Sequence, residues 1–583
     1  MSNPSFLLTP WGPWRTIDFM RYTALLGKAL KNNPQGVSSD SHSLLLRGGY
    51  IRESGTGLFS YLPLGLRVLE KIKTIIRTCL ADLEGQEILL PLVSPLAPWE
   101  QSGRFRSLES DVVRFKDRMG QDLILAPDHE ETLVDLVRSS LQNYQELPLF
   151  VYQFQLKFRD EENPKDGLIE AREFTMNDGY SFHKSETDLN NFFPKVFRAY
   201  EKIFASCGVP FLPSESNSHF LGQGSKAFDF LMPTYNGDLT AIVCTECGYT
   251  ANQDIAVGEK ENFIEVPKNA SLFKATTWEK AIIALNLKNS QTLKIHYFLG
   301  TLGPVAVACR GDYKVSLAKM IRLLGERLTP GLSPKLWKGV GLTEGWMNPG
   351  AIPVGWRFWV DDAAANSSNL LTTAGTRGQF YTNYNFGRDY ESPHTGDLCE
   401  IQQKDCCIYC GAVLNEVKAM ELGRIVKLED LFTKPLGLQY TNARGDNIHP
   451  YMGAYEIGLG RLLAAVVEAN HDVRGIRWPM LLAPYRFFLF TAGDSLRLKT
   501  LAEEIHSRYP EFGLYDDRPD SPGSKNHLAD LLGIPLKVIL HRHDYDAGKA
   551  EFSCRVSGRT WMVPLSEVIS NLDEFMIRKE WCE

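Results

Sequence analysis

Two neighbouring segments carry the residue types that are needed to hold a nucleotide. The first reads Lys157-Phe158-Arg159-Asp160-Glu161 and the second Arg172-Glu173-Phe174-Thr175-Met176-Asn177-Asp178. They read as two antiparallel strands with a loop between them, and a spacing of two residues places Arg159 and Glu161 on one face. A guanidinium can grip a phosphate, a carboxylate can accept from an exocyclic amine, and the Phe174 ring can stack on a base. The pattern alone is equally typical of a surface hairpin with a salt bridge.

A second group of residues has the spacing of metal ligands. Cys244-Thr245-Glu246-Cys247-Gly248 and Cys407-Ile408-Tyr409-Cys410-Gly411 are two Cys-x-x-Cys-Gly knuckles. Cys244, Cys247, Cys407 and Cys410 can close a four-thiolate tetrahedral zinc site. The pairs lie about 160 residues apart, beyond the usual local ribbon, so free thiols are the alternative.

The elements that must position these residues follow from the apolar pattern. Apolar residues from Leu64 to Leu83 recur with helical spacing, and a short strand is predicted through Ile88–Leu90. The segments Leu123–Ala126 and Leu149–Phe158 read as a strand pair, and helical residues fill Asp188–Cys207. An apolar helix that starts near Gly458 and runs to Glu468 is predicted to be buried on nearly every side.

Changes in residue composition and in the pattern of predicted elements divide the chain into units. Between about Tyr235 and Asp397, Gly, Pro and Trp become frequent and strand-like runs alternate with short helices, which indicates an inserted domain. From Tyr485 a third unit has a βαβαβ pattern. Its predicted elements are the strand Arg486–Phe490, the helix Leu496–Arg508, the strand Phe512–Tyr515, the helix Ser524–Leu532 and the strand Leu536–Leu540.

Size and composition limit the function classes. A chain of 583 residues is too long for one core and should form three or four domains. The net charge of −7 argues against a protein that coats nucleic acid through bulk charge, but it leaves room for a local basic surface. We find no run of about 18 apolar residues and no secretory signal at the start, so a cytoplasmic protein without membrane contact is expected. Eleven cysteines are too few for a disulfide scaffold.

The order of these motifs resembles that of the class II aminoacyl-tRNA synthetases. Phe-Arg-x-Glu, the strand with Phe174 and the Gly-x-Gly-Arg helix with Arg461 resemble motifs 2 and 3, and the helix and strand that end at Pro91 resemble motif 1. Longer stretches are similar to the bacterial prolyl type. They include Leu62–Leu69, Trp99–Arg104, Gln155–Glu161, Tyr180–His183, Glu468–Asp472 and Gly475–Pro479. The likeness covers nearly all of 20–583 in the same order.

The resemblance implies an α+β fold with an antiparallel-sheet catalytic domain, an α+β insertion of the editing type and a C-terminal α/β anticodon-binding domain. The implied division lists an N-terminal extension at 1–19, the catalytic domain at 20–235 and 398–483, the inserted domain at 236–397 and the anticodon-binding-like domain at 484–583.

The resemblance also implies roles for single residues. ATP would lie between the Phe174 ring and the Arg461 guanidinium, Arg159 would hold the α-phosphate, and Mg²⁺ would bind the phosphates. The residues implied for ATP are Arg159, Glu161, Phe174, Lys427 and Arg461, of which all but Lys427 are also the catalytic set. The residues implied for the amino acid are Asp128, Glu130, Arg172 and Met176. Glu130 matches the glutamate that receives the proline nitrogen, although a helix N-terminal glutamate favoured by the dipole is the alternative.

The function implied is a homodimeric proline–tRNA ligase that acts in protein biosynthesis with proline, ATP and tRNA as substrates. Two alternatives stay open. One is a related synthetase that adenylates another amino acid or uses an acceptor other than tRNA. The other is a non-catalytic binding protein, which the retention of Arg159, Glu161, Phe174 and Arg461 disfavours.

Several positions depart from the resemblance. Around the substrates, Asp128, Arg424, Lys427, Asp430, Ala454 and Glu456 replace the usual threonine, histidine, glutamine, threonine, cysteine and glycine. The loop 162–166 is acidic, which should weaken binding to the acceptor stem. Ser521 replaces an arginine in the region that is thought to read anticodon bases, and Gln291 stands in the place of a lysine associated with editing, so reduced or altered editing is expected; a purely structural insertion is the alternative.

Overall fold

The computed structural model describes residues 20–34, 36–37, 39–105, 112–217, 226–339 and 345–577, and the predicted extension 1–19 lies outside them. The predicted α+β class is confirmed, because helices and several separate sheets occur along the chain. No helix in these ranges is both long enough and apolar enough to cross a membrane.

The described helices are α1 Asp40–Arg47, α2 Pro63–Ala81, α3 Ala97–Ser102, α4 Glu130–Arg138, α5 Glu186–Ser206, α6 Trp278–Ala284, α7 Leu317–Leu324, α8 Pro334–Gly339, α9 Asp362–Ala365, α10 Leu459–Ala469, α11 Leu496–Arg508, α12 Pro522–Leu532, α13 Arg542–Asp546 and α14 Val568–Ile577.

The strands of the first part of the chain are β1 Ile51–Gly55, β2 Leu58–Tyr61, β3 Gln86–Glu87, β4 Val93–Pro95, β5 Arg114–Lys116, β6 Asp122–Leu125, β7 Leu149–Phe158, β8 Glu173–His183, β9 Leu212–Asn217, β10 Lys226–Pro233, β11 Leu239–Val243 and β12 Thr250–Asn252. The middle part has β13 Ser271–Lys274, β14 Leu293–Gly300, β15 Gly303–Arg310, β16 Leu328–Pro330, β17 Arg357–Asp361, β18 Leu370–Thr373, β19 Gln379–Tyr384 and β20 Thr395–Gly396. The last part has β21 Asn415–Glu429, β22 Tyr440–Thr441, β23 Asn447–Ile448, β24 Tyr451–Gly458, β25 His471–Asp472, β26 Gly475–Ile476, β27 Phe487–Ala492, β28 Gly513–Asp516, β29 Leu536–His541, β30 Lys549–Cys554 and β31 Thr560–Pro564.

A nine-stranded sheet forms the frame of the largest unit, in the order β10-β9-β12-β11-β21-β24-β8-β7-β3. Its central strands β21, β24, β8 and β7 pair antiparallel. Helices α2, α5 and α10 cover one face and share a large core with it. The predicted burial of α10 is confirmed, since apolar residues on nearly every side of it are buried. The opposite face carries a second apolar cluster, in which α4 packs on Tyr180, Val426 and Ala454 of the sheet, and polar side chains lie beside it.

One glycine of this frame, Gly65, is required because the backbone of Tyr50 lies directly against it. Gly65 lies in the first turn of α2, and a Cβ added there would come within 2.2 Å of the Tyr50 carbonyl oxygen. Tyr50 is itself fully buried and contacts Trp478. A side chain at position 65 would push α2 away from this core.

Two strand predictions need correction. The segment 123–126 does not pair with β7, because β6 belongs to a separate three-stranded sheet in the order β4-β6-β5. The predicted strand at Ile88–Leu90 is only the two-residue strand β3, just before it. The chain still runs along β7, since the Ile88 amide donates to the Tyr152 carbonyl at 2.8 Å. The Leu90 amide then donates to the Gln153 side-chain oxygen at 2.9 Å. This side-chain contact takes the place of a backbone hydrogen bond between the two strands.

The insertion has two sheets of its own, β13-β19-β18 and β16-β14-β15-β17-β20. Strands β11 and β12 belong instead to the nine-stranded sheet, although they follow the boundary predicted at 235. We therefore propose that the insertion begins after Asn252. The C-terminal unit has the order β28-β27-β29-β30-β31, with β28, β27 and β29 parallel. Its predicted βαβαβ pattern is confirmed.

Candidate active site

A cavity of about 580 Å³ opens on the face of the sheet opposite α5. Seven carboxylate side chains and four guanidinium groups line it. The carboxylates are Asp128, Glu130, Glu161, Glu170, Asp238, Glu421 and Glu456, and the guanidinium groups are Arg104, Arg159, Arg424 and Arg461. Such a site attracts ligands that carry both anionic and cationic groups.

The three residues that define the predicted nucleotide site all line this one cavity. The Arg159 guanidinium lies 5.4 Å from the centre of the Phe174 ring, and its Nη2 lies 3.3 Å from Asp128 Oδ1. Burial alone would lower the pKa of Arg159, but Asp128 and Glu456 raise it, so it keeps its positive charge. Arg461 donates from Nε to the Ile169 carbonyl at 2.9 Å and from Nη1 to the Glu421 carbonyl at 3.3 Å. Carbonyl partners leave the charge of Arg461 unneutralised and available to a ligand.

Arg104 is the hub of the buried side of the cavity. Its Nη2 lies 2.5 Å from Asp128 Oδ2, and its Nη1 lies 3.0 Å from Glu130 Oε2 and 3.4 Å from Glu131 Oε2. Burial raises the pKa of Glu130 and raises that of Glu131 to about 7, while Arg104 opposes both shifts. For Asp128 the charges of Arg104, Arg159 and Lys157 outweigh burial, and its pKa falls well below the usual range.

A second buried group supports the sheet beside the cavity. Lys157 Nζ lies 2.6 Å from Asp178 Oδ2 and 2.6 Å from His129 Nδ1. His129 Nε2 lies 3.1 Å from the Pro91 carbonyl, so the neutral tautomer with the proton on Nε2 satisfies both contacts. Burial and the Lys157 charge lower the pKa of His129 to about 3, which keeps it neutral. Neutral His129 therefore accepts from the Lys157 ammonium, which also pairs with Asp178, and the three side chains support the sheet at this point.

The sequence of this chain resembles known proteins over almost its whole length. Residues 113–470 match the tRNA synthetase class II core domain of the G, H, P, S and T types, and residues 489–575 match an anticodon binding domain. The chain belongs to the class II aminoacyl-tRNA synthetases. It is 34% identical over 574 residues to a proline–tRNA ligase of Salinispora tropica, with 95% of this chain and 96% of that protein covered. A proline–tRNA ligase of Dehalococcoides mccartyi is also 34% identical, over 566 residues, with 95% and 98% covered.

Solved structures agree on the fold of this synthetase. The structure of Giardia lamblia prolyl-tRNA synthetase in complex with prolyl-adenylate superimposes with a TM-score of 0.55 at 14% identity, and 93% of this chain and 80% of that chain are covered. The relatives therefore confirm the predicted membership in the bacterial prolyl-type group. The family matches and the superimposed structure confirm the predicted class II core with an anticodon-binding domain.

Most predicted site residues of the synthetase meet in the cavity. Those that line it are Asp128, Glu130, Arg159, Glu161, Phe174, Met176 and Arg461. Strand β7 ends at Phe158, so Arg159 and Glu161 lie in the hairpin loop and not on one pleated face as expected. The Arg159 amide still donates to the Arg172 carbonyl at 2.9 Å, which holds the start of that loop in register. Glu130 is both a lining residue and the first residue of α4, so the two interpretations of it coexist.

Arg172 and Lys427 do not line the cavity, which corrects their prediction as substrate contacts. Arg172 bonds to Asp160 and lies 5.5 Å from the Phe158 ring centre, outside the start of β8. Lys427 bonds to Asn190 and lies 5.0 Å from the Phe193 ring centre, and both partners belong to α5. It follows Val426, which does line the cavity, and adjacent residues of a strand point to opposite faces.

Sequence reasoning missed Arg104 and Glu131 as site residues, because a lone arginine in a loop carries no pattern of its own. Of the positions that depart from the resemblance, Arg424 and Glu456 also line the cavity. In the C-terminal unit Ser521 is the N-cap of α12, where its side chain accepts from the Ser524 amide at 3.3 Å. In the insertion the Gln291 side chain accepts from the Lys288 amide at 3.1 Å.

The four cysteines of the two knuckles also meet. Cys244 Sγ lies 3.4 Å from Cys410 Sγ, and Cys247 Sγ lies 3.6 Å from Cys407 Sγ. All four sulfurs lie within 4.8 Å of one another. The backbone amide of Cys247 is the largest cause that lowers the pKa of Cys244, to about 7. The long separation in sequence is thus bridged by the fold.

Proposed function

We propose that this synthetase is a proline–tRNA ligase. The supporting observation is the convergence of Arg159, Glu161, Phe174 and Arg461, from distant stretches of sequence, on one cavity of about 580 Å³. The assignment of proline follows the curated relatives, which are proline–tRNA ligases at 34% identity with nearly full coverage.

In the first step, the proline carboxylate attacks the α-phosphorus of ATP, and the bond to the β-phosphate oxygen breaks to release pyrophosphate. The protein supplies position and charge. Arg159 holds the α-phosphate, Phe174 and Arg461 enclose the adenine, and Glu161 accepts from its exocyclic amine. The carboxylate of Glu421, which also lines the cavity, would offer the kind of oxygen ligand that Mg²⁺ prefers. Bound Mg²⁺ would neutralise the charge that develops on the phosphates.

In the second step, a terminal ribose hydroxyl of tRNA attacks the acyl carbon of the adenylate and releases AMP. The match of residues 489–575 to an anticodon binding domain supports tRNA as the acceptor. The acidic loop at 162–166 gives a weaker acceptor-stem contact than a basic loop would, because it repels phosphate.

Pyrophosphate exchange with each of the twenty amino acids tests the first step. Proline-dependent exchange is expected. Exchange with another amino acid would replace proline in the proposal. It is the second candidate because Arg424 and Glu456 place two ionisable side chains in the cavity where the resemblance has histidine and glycine. The absence of pyrophosphate exchange with all twenty amino acids would favour a non-catalytic protein.

The variant Arg159→Ala links the exchange to the cavity. Removal of a guanidinium that contacts the transferred phosphate should lower kcat/KM for exchange at least about 10³-fold. Arg138→Ala is the matched control, since Arg138 has a similarly exposed side chain, 48% against 45%, and does not line the cavity. Near-normal exchange by Arg159→Ala would contradict the assigned role.

We also propose that Cys244, Cys247, Cys407 and Cys410 hold a structural Zn²⁺. Tetrahedral zinc with bonds of about 2.3 Å needs sulfurs about 3.8 Å apart, and the observed pairs at 3.4 and 3.6 Å are close to that spacing. Elemental analysis should find one zinc per chain, and Cys407→Ser should abolish it and lower the Tm. Cys79→Ser is the control for zinc content, because Cys79 is one of the free cysteines outside the cluster. Zinc-free parent protein with an unchanged Tm would refute the site.

A cytoplasmic homodimer is proposed for the quaternary state. The segment that resembles motif 1 exposes Leu66 and Leu89, at 49% and 73% of their surfaces. Exposed apolar side chains grouped in one segment are typical of a protein interface. Light scattering should give twice the chain mass of 65.7 kDa, and a monomer at micromolar concentration would refute the dimer.

For the insertion we propose weak or altered editing. Gln291 is uncharged and its side chain is used to cap a turn, so it cannot replace the expected lysine charge. The purified protein should hydrolyse mischarged alanyl-tRNA slowly, and rapid hydrolysis would overturn this proposal.

A further inference from the structure

A row of polar side chains crosses the sheet under the cavity. Neighbouring strands bring together Ser214, Asp229, Arg424, Glu456, Asp178 and Gln153, one from each of β9, β10, β21, β24, β8 and β7. Directly opposite residues in antiparallel strands have Cβ atoms about 5 Å apart, so each side chain meets the next in the row.

Almost every charge in this row is already neutralised by the protein. Arg424 Nε lies 2.7 Å from Asp229 Oδ1, and its Nη2 lies 3.2 Å from Glu421 Oε2. Asp178 is paired with Lys157 and also accepts from Gln153 Nε2 at 3.1 Å. These contacts hold the row rigid on both sides of Glu456.

Glu456 is the exception in the row. Its carboxylate lines the cavity, and within the described residues it takes part in no side-chain hydrogen bond and in no ion pair within 4 Å. A carboxylate that leaves water without a partner costs free energy, so such a position is retained where a ligand supplies the partner. Glu130, by contrast, already accepts from Arg104 at 3.0 Å.

We propose that Glu456 receives the ammonium group of the amino-acid substrate, and that it is a specificity-determining residue of the cavity. This inference rests on the proposed function, because it takes proline as the substrate. A protonated secondary amine has two N–H donors and a positive charge, and Glu456 is the carboxylate of the row that is free to accept both.

The surroundings of Glu456 predict how binding depends on pH. Burial and the charges of Asp128 on the loop after β6, Asp178 on β8 and Glu130 on α4 raise its pKa to about 8, against the lowering by Arg159. Arg424 on β21 also faces it across the strand pair. At pH 7 the carboxyl therefore holds a proton, which a bound ammonium must displace. The affinity for proline should rise from pH 6 to about pH 8 and then level off.

Calorimetry in buffers of different ionisation enthalpy tests this without catalysis. Proline binding to the parent protein at pH 7 should release about one proton per chain, and binding to Glu456→Gln should release none. In pyrophosphate exchange at pH 8.5, Glu456→Gln should raise KM for proline about tenfold or more, while KM for ATP changes less than twofold. Glu456→Asp should restore part of the affinity.

Glu173→Gln is the control, because Glu173 is exposed at the start of β8 and does not line the cavity. It should leave the KM for proline and the proton release unchanged. If the parent binds proline and Glu456→Gln binds it as tightly with the same proton release, the inference is wrong and the proposed function stands. If the parent neither binds proline nor supports exchange with it, the proposed function falls and this inference falls with it.

Discussion

Most of the residues predicted to hold ATP and most of those predicted to hold the amino acid line the same cavity, but their charged groups differ in exposure and in ion pairing. The Arg159 side chain is 45% exposed, and among the described residues Arg461 donates its hydrogen bonds to backbone carbonyls. Around the amino-acid residues, the Arg104 and Glu130 side chains are 8% and 6% exposed and form one ion-pair network. The ATP contacts can therefore be changed without large effects on folding, whereas a change in the amino-acid group alters stability and binding together.

Of the substitutions proposed here, the loss of Arg104 should have the largest effect on the free energy of unfolding. Arg104→Met leaves Glu130 and Glu131 buried without their guanidinium partner and leaves Asp128 paired with Arg159, and we expect the free energy of unfolding to fall by about 3–5 kcal/mol. Denaturant unfolding at pH 8 measures this. Arg77→Met is the control, because Arg77 pairs with Glu87 at 2.8 Å with its side chain 40% exposed, and a loss below about 1 kcal/mol is expected.

The deficit of Arg104→Met should depend on pH in a defined direction. The pKa of Glu131 is already raised to about 7, above its unfolded value, so Glu131 favours the folded state at low pH and loses that contribution as pH rises through 7. Without Arg104 the pKa of Glu131 rises further. The deficit should therefore be larger at pH 8 than at pH 5, and an equal deficit at both would show that lost packing, and not charge, is the cause.

The nucleotide group offers the complementary test. Phe174→Ala removes a stacking surface worth about 1–3 kcal/mol, so KM for ATP should rise about tenfold or more. KM for proline and the free energy of unfolding should stay nearly unchanged. Phe154→Leu on β7 is a control, since the Phe154 ring lies 4.9 Å from the Arg77 guanidinium and outside the cavity. A large loss of stability in Phe174→Ala would contradict the separation of the two groups.

The sequence predicted the frame better than the side-chain contacts. The strand Leu149–Phe158 and the helix Leu496–Arg508 have the bounds that periodicity indicated, because both have regular apolar patterns. The convergence of Arg159, Phe174 and Arg461 followed from the resemblance to known motifs. Nothing local could predict Arg104 as a hub, since Asp128, Glu130 and Glu131, its carboxylate partners among the described residues, lie 24 to 27 residues further along the chain.

The predictions that differ from the structure also depend on contacts between residues that are distant in sequence. Segment 123–126 has a strand-like pattern, but pairing is a long-range choice, and β6 pairs with β4 and β5 instead. The resemblance implies a contact between Arg172 and the amino acid, yet Arg172 precedes β8 and its guanidinium bonds to the carboxylate of Asp160. Position in a motif therefore predicts an element well and a side-chain direction less well.

Lys427 gives the smallest expected effect and the cleanest test of this last point. Its neighbours on β21, Arg424 and Val426, line the cavity, while Lys427 contacts Asn190 and Phe193 of α5 on the other face. Lys427→Met keeps a side chain of similar length on that face and removes its charge. Because the charge lies across the sheet from the cavity, KM for ATP should change less than twofold. The stability should change within about 0.5 kcal/mol. An increase of tenfold in KM for ATP would mean that β21 presents its opposite face to the nucleotide, which would also withdraw Arg424 from the cavity.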